Sequence, residues 1–278
     1  MTVAAGVGFK PQHFEEAIAS PADDAWFEVH AENYMVKGGP RLAMLDVLRK
    51  KASLSLHGVG LSLASDARPD HDHLLRLLNL ADRFEPFLVS EHLAWSRIGN
   101  ICFPDLLPFP RTREALDRIG RNVEITQEAL GRSIAVENPS LYLELEDNEI
   151  PETEFLAELT RRTGCSLLVD VNNVYVSANN LGFDAVGYLD ALPADAISEI
   201  HLAGHSEDPD LGPALLIDSH DAPVAEPVWE LYRYLIGQIG PRPTLIERDG
   251  NVPSFAELMV EREKATILLD TKREPSLV

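Results

Sequence analysis

An apolar run that stops abruptly at an ionisable residue occurs seven times along this chain. The runs are Trp26-Phe27-Glu28-Val29-His30, Leu54-Ser55-Leu56-His57, Leu88-Val89-Ser90-Glu91-His92, Ile134-Ala135-Val136-Glu137, Ser166-Leu167-Leu168-Val169-Asp170, Ile197-Ser198-Glu199-Ile200-His201 and Thr244-Leu245-Ile246-Glu247. A short apolar run bounded by polar residues is the pattern of a strand covered on both faces, as in parallel sheets. Each such strand delivers a His, Asp or Glu at the same end. Ala5-Gly6-Val7-Gly8-Phe9 adds a strand before them, and helical patterns intervene at residues 12–19, 41–51, 71–84, 113–130, 152–162, 184–192, 226–239 and 254–268. Thr112 can cap the helix at 113, Gly131 and Gly164 sit where helices end, and Pro227 suits a first turn. Strict alternation implies crossover connections and a parallel sheet. Eight repeats imply a closed (β/α)8 TIM barrel, a single α/β domain over residues 1–278 with a metal site at the C-terminal ends of its strands. An open doubly wound sheet is the alternative, but Gly6-Val7-Gly8 lacks the third glycine of a dinucleotide loop, and no Gly-x4-Gly-Lys phosphate loop exists.

Composition removes several classes of function. The formal charge of −21 disfavours nucleic acid and anionic membrane surfaces as partners, because affinity for phosphates rests on Lys and Arg. No apolar run approaches the ~20 residues of a membrane helix, and the N-terminus has no charged segment followed by an apolar one. A cytoplasmic protein is the expectation. Two cysteines make no disulfide framework. Cys165, at the far end of its strand from Asp170, reads as a small core residue, and Cys102 as a loop thiol.

The segments leaving the strand ends are long at 93–111, 171–183 and 202–225, whereas the returns are short. In such barrels the face with the long loops holds the active site. Pro104, Pro108 and Pro110 stiffen the first loop, whose Trp95, Phe103 and Phe109 could form a lid or docking surface. Strand ends converge around the barrel axis, so His57, His92, Glu137, Asp170, His201 and Glu247 should share one mouth. So many ionisable groups together are electrostatically costly without cations. Imidazole plus carboxylate without thiolate suits Fe, Mn, Co or Zn. Asp218-Ser219-His220 offers a further chelating pair, Asn172 follows Asp170 by two residues, and a central carboxylate such as Glu137 could bridge two ions. Asp249 is a substrate-contacting or ligand-supporting candidate, as are His30 and His205 for orienting ligands. Glu91 should point to the other side of its strand, and His71 and His73 read as solvated residues at a helix start. A divalent-metal sugar isomerase or epimerase, or a metal-dependent hydrolase such as a zinc endonuclease, would show similar strand ends. A non-catalytic metal-binding scaffold would too.

Six motifs separate these readings. His57-Gly58-Val59-Gly60-Leu61-Ser62, Ser90-Glu91-His92-Leu93-Ala94-Trp95, Asp105-Leu106-Leu107-Pro108, Val136-Glu137-Asn138-Pro139-Ser140, Asp170-Val171-Asn172-Asn173-Val174-Tyr175 and His201-Leu202-Ala203-Gly204-His205 follow one another in register. In this the chain resembles the multinuclear non-haem iron-dependent oxidases typified by the methanobactin and 3-thiaglutamate biosynthesis oxidases, from about Gly6 to Glu261. The resemblance implies a barrel holding two or three iron ions, Fe(II)/Fe(III), that with O2 as cosubstrate oxidises a residue, usually cysteine, of a ribosomally made precursor peptide. It implies His57, His92 and Glu137 on one iron, Glu137, Asp170, His201 and Glu247 on a second, and Asn172, Asp218 and His220 at a third. Glu137, Glu247 and Asp249 are the residues expected to serve the chemistry. The family also implies a small partner protein that presents the peptide in a heterodimer. Lys10, in Gly8-Phe9-Lys10-Pro11, stands where many relatives have arginine.

Overall fold

A computed structural model describes residues 4–19, 25–98 and 101–271. Eight parallel strands close into a barrel: β1 (Ala5–Gly8), β2 (Trp26–His30), β3 (Ser53–Gly58), β4 (Leu88–His92), β7 (Ala135–Glu137), β8 (Ser166–Asp170), β9 (Ile197–Leu202) and β12 (Thr244–Ile246). The order around the barrel is β1-β12-β9-β8-β7-β4-β3-β2, so each strand lies beside its predecessor in this series and the last closes on the first. All eight expected strands are present. The register sets His30 beside His57, His92 beside Glu137 and Asp170 beside His201, which brings the ionisable ends to one rim.

Alternation along each strand divides the side chains into two environments. Phe27, Val29, Leu54, Leu56, Val89, Val136, Leu167 and Val169 belong to the large core packed under the helices, where each fully buried large aliphatic side chain contributes ~1.5–3 kcal/mol. Trp26 and Leu245 belong to a second, small cluster that closes the bottom of the barrel. The Trp26 ring occupies the space beside Gly6, where a Cβ would lie 2.4 Å from it. Above this plug the residues two positions further along β2, β3, β4 and β9, Glu28, Ser55, Ser90 and Glu199, are buried.

The surrounding helices are α1 (Phe14–Ala19), α2 (Pro40–Arg49), α3 (His71–Phe84), α4 (Arg113–Leu130), α5 (Glu152–Thr163), α6 (Val171–Leu181), α7 (Ala185–Ala191), α8 (Glu226–Ile239) and α9 (Phe255–Thr271). Their ends follow local chemistry. Thr112 accepts from the Ala115 amide at the start of α4, and Gly131 and Gly164 end α4 and α5 with φ of 62° and 69°.

Three features depart from the sequence expectation. Residues 171–181 are helix α6, not loop, because Asp170 is both the last residue of β8 and the N-cap of α6, accepting from the Asn173 amide at 2.7 Å. The two other long segments fold as antiparallel hairpins, β5 (Trp95–Ile98) with β6 (Ile101–Leu107) and β10 (Ser206–Asp208) with β11 (Gly212–Ile217). Phe109 is no part of a lid, being buried against Phe155 at 5.6 Å between ring centres. Cys165 is buried, as expected; the side chains of Cys102 and Pro104 lie outside the described ones.

Candidate metal centre

The strand ends meet as anticipated. His57, Glu137, Asp170, His201 and Asn172 have no exposed surface, and Glu247 and His220 very little. On one side of the barrel axis His57 and His92 face each other at 2.9 Å through their Nε2 atoms, and Glu137 Oε2 lies 3.3 Å from His57 Nε2 and 3.0 Å from His92 Nδ1. The Ser90 hydroxyl, 2.8 Å from His57 Nδ1, fixes that ring from below. On the other side His201 Nδ1 and His220 Nδ1 lie 3.1 and 3.4 Å from Glu247 Oε2, and His220 Nε2 lies 2.8 Å from Asp218 Oδ1. Asn172 donates to the same Asp218 oxygen at 2.6 Å and meets His205 Nδ1 through its own oxygen at 2.8 Å.

Two motifs hold this geometry by binding each other. Asn138, one residue after Glu137, accepts from the Asp170 amide at 2.8 Å and donates to the Asp170 carbonyl at 3.1 Å. Asn173 donates to Glu137 Oε1 at 3.1 Å and to the Asn138 carbonyl at 3.0 Å. The side chains thereby continue the β7–β8 ladder beyond the last backbone pair, locking Glu137 and Asp170 into fixed orientations. That is the physical content of the Glu-Asn-Pro and Asp-Val-Asn-Asn sequences.

Potential donor atoms fall into overlapping groups, each within 4.8 Å: His57, His92 and Glu137; Glu137, Asp170 and His201; and Asp170, His220 and Glu247. Asp170 Oδ2 is buried with no hydrogen-bond partner, and Glu137 Oε2 and His220 Nε2, though 3.0 Å from His92 and 2.8 Å from Asp218, meet them outside hydrogen-bond geometry. Buried polar atoms are rarely left in that state, so atoms that converge without pairing mark a place for a shared ligand. The charges agree. Burial alone would lower the imidazoles, but the Glu137 charge leaves His92 raised, the charges of Asp218 and Glu247 hold His220 well up, and Glu28 and Glu247 do the same for His201. His57 is pushed well down by burial and by His92. Burial also drives Asp170 up to about 8, whereas Glu247 is held well below the usual carboxylate range against its burial, chiefly by His220. The site therefore demands positive charge, and His/carboxylate donors without sulfur fit a borderline divalent ion that would displace the imidazolium protons.

The rim residues have distinct places. Asp249 pairs with Lys10 at 2.6 Å and lies 3.8 Å from His30 and 3.9 Å from His220. His30 Nε2 lies 3.2 Å from Glu247 Oε1, and the pairing raises it to about 8 against the effect of burial. Above the centre a cavity of about 330 Å³ is bordered by His92, Phe103, Asp105, His220, Glu247 and Asp249. Its wall includes residues of the β5–β6 hairpin, so Phe103 does overhang the site.

Glu91 stays outside the cluster, buried beside Gly58. His73, expected in solvent, is instead buried with its Nε2 3.4 Å from Glu32, whose carboxylate receives the Val59 and Gly60 amides after His57. The strand-end pattern does not single out Glu28 and Glu199, yet both reach the barrel interior beneath the centre. A signal for them exists: each stands two residues before a strand-end histidine, so the alternation that turns His30 and His201 inward turns them inward too.

The chain matches the family described as "RiPP precursor modification enzyme MbnB/TglH/ChrH" over residues 4–270. A UPF0276 protein of Caulobacter sp. (strain K31) is 66% identical over 265 residues, covering 95% of this chain and 96% of the relative. Among solved structures, endonuclease IV from Thermus thermophilus superposes with a TM-score of 0.62 at 16% identity, covering 96% of this chain and 99% of that one. D-Psicose 3-epimerase from Clostridium cellulolyticum gives 0.60 at 12% identity, with 97% and 98% covered. At such identities the two structures speak for the barrel alone.

Proposed function

Since the chain belongs to the MbnB/TglH/ChrH family of RiPP precursor modification enzymes, we propose that it is a multinuclear, iron- and O2-dependent oxidase that modifies a cysteine of a ribosomally made precursor peptide. The observation that carries this reading is the run of three overlapping donor groups, sharing Glu137 and Asp170, beneath one open cavity. Closed single-ion sites do not share donors in this way; a shared carboxylate is how proteins hold ions roughly 3.5–4 Å apart.

His57, His92 and Glu137 would hold one ion, Glu137, Asp170, His201 and Glu247 a second, and Asn172, Asp218 and His220 a third, with Glu137 as bridge. Bound iron would supply the one-electron chemistry with O2 that side chains lack. The chain's own residues prepare the substrate for it. The cavity of about 330 Å³ admits a side chain and its peptide flanks but encloses no large ligand. Asp249, held to the rim by Lys10, and His30 border the path by which a thiol would enter, and Asp249 would be the carboxylate within reach of the proton it sheds. Phe103 shields the opposite wall. A small partner protein would deliver the peptide to this mouth, in the cytoplasm, where thiols stay reduced.

The test is turnover. Protein loaded anaerobically with Fe(II) is mixed with a cysteine-containing peptide encoded beside it and with its partner, and then exposed to O2. Loss of hydrogens or carbon from the peptide by mass spectrometry, absent without O2 and absent with Glu137→Gln, is expected. Unchanged peptide beside a fully loaded iron centre would overturn the reading.

A further inference from the structure

Beneath the candidate centre lies a donor set that shares only His201 with it. Glu28, Glu199 and His201 present one donor atom each within 4.8 Å of one another, deep in the barrel. Glu199 has no exposed surface, and neither of its oxygens has a hydrogen-bond partner; Glu28 Oε2 and His201 Nε2 are buried and unpartnered as well. His201 turns Nδ1 upward to Glu247 and Nε2 downward, 3.2 Å from Glu28 Oε1 and 3.9 Å from Glu199 Oε1. At 3.2 Å the ring N–H would be expected to bond Glu28, but its direction misses the carboxylate.

We propose that Glu28, Glu199 and His201 Nε2 form a separate divalent-cation site below the rim. Donors about 2.1 Å from a common ion at tetrahedral angles stand about 3.4 Å apart and off the ring nitrogen's axis. The spacings of 3.2 and 3.9 Å straddle that value, as the 3.3 and 3.0 Å spacings of His57, His92 and Glu137 approach it. Charge requires something similar. Two desolvated carboxylates need a compensating charge, and an ion set among Glu28, Glu199 and His201 Nε2 would give their unpartnered atoms a common ligand. A divalent ion neutralises both acids at once and displaces the proton on His201 Nε2.

On the way down from the rim, a cavity of about 100 Å³ bordered by Gly8, Glu28, His30, Leu245, Glu247 and Asp249 reaches Glu28, the first of the three donors. With an ion on each side, Nδ1 above and Nε2 below, His201 would have released both ring protons and would bridge as an imidazolate, so the deep ion would set how strongly the ring donates to the upper one. The donor set, one imidazole and two carboxylates, suits Zn, Mn or Fe(II).

The full chain, stripped with chelator and reloaded with Zn(II) to saturation, is crystallised, and anomalous differences are recorded across the zinc edge. An ion bonded to Glu28, Glu199 and His201 Nε2 is expected, distinct from any at the rim. Glu199→Gln, which keeps shape but loses charge, should bind one fewer Zn(II) per chain by equilibrium dialysis, with the rim positions filled as before. If Glu199→Gln does not fold, the wild-type map decides alone. A water without anomalous signal, or nothing, at this position in the saturated protein overturns the proposal. A filled deep position beside an empty rim would support it while refuting the multinuclear oxidase.

Discussion

Asn138→Ala tests how the candidate centre is held together without replacing any proposed ligand. Asn138 is 2% exposed and makes both of its hydrogen bonds across β7–β8 to the backbone of Asp170, itself fully buried. Alanine removes donor and acceptor together, leaving the Asp170 amide and carbonyl unpaired in the interior. At about 1–3 kcal/mol for each orphaned group, the loss is about 2–6 kcal/mol, against a total stability of about 5–15 kcal/mol. With an m-value of about 3 kcal/mol/M, a loss of about 3 kcal/mol already moves the urea midpoint down by about 1 M. Asn138→Asp keeps the acceptor but cannot donate, and sets a carboxylate between Glu137 and Asp170; it should be at least as damaging. The second readout is metal affinity, which should fall about 10–100-fold because Asp170 and Glu137 lose their shared brace. Urea titration and metal competition on the purified variants decide. A midpoint within about 0.2 M of wild type, with unchanged affinity, would refute the claim that these amides orient the centre.

Two further perturbations probe other parts of the fold. Gly204 begins the segment that carries Asp218 and His220, and a Cβ there would lie 2.1 Å from the Ala222 carbonyl oxygen, a backbone atom that cannot rotate away; Gly204→Ala should destabilise by about 3 kcal/mol, and a thermal midpoint equal to wild type would contradict this. Glu152 is driven up to about 7 by burial, more than Tyr188 and Arg111 can offset, from an ordinary 4.5. The folded protein thus holds a proton that the unfolded chain releases between pH 4.5 and 7, so stability present below that window is lost as pH rises through it, by about 3 kcal/mol. Glu152→Gln cannot ionise and should flatten the decline of the urea midpoint between about pH 5 and 8; parallel wild-type and variant profiles would show that Glu152 titrates normally.

Much of this architecture is legible in the sequence because strand-end polarity and helical periodicity are strong signals that tertiary contacts reinforce. The helices at 71–84, 113–130 and 226–239 coincide with the sequence pattern, and the rim residues His57, His92, Glu137, Asp170, His201 and Glu247 meet as their positions imply. Helix α6 is hidden because Val171-Asn172-Asn173 carries residues that favour turns, and because no connector separates it from β8; the capping bond to Asp170 and burial against the barrel override that preference. The two hairpins lack alternating patterns long enough to register. The burial of His73 cannot be read locally because its partner, Glu32, lies far away in sequence. Glu28 and Glu199 escape a reading centred on strand ends because they belong to the layer below, where Ser55 and Ser90 also sit.

The central claim is that the rim holds a multinuclear iron centre, and the direct measurement is iron content with Mössbauer spectra of protein grown on iron-57 without chelator. Two or three irons per chain in mixed Fe(II) and Fe(III) states, lost in Glu137→Gln, are predicted. Stoichiometric zinc or manganese with negligible iron, unchanged after anaerobic iron reconstitution, would contradict the account and favour a hydrolase or isomerase on the same barrel.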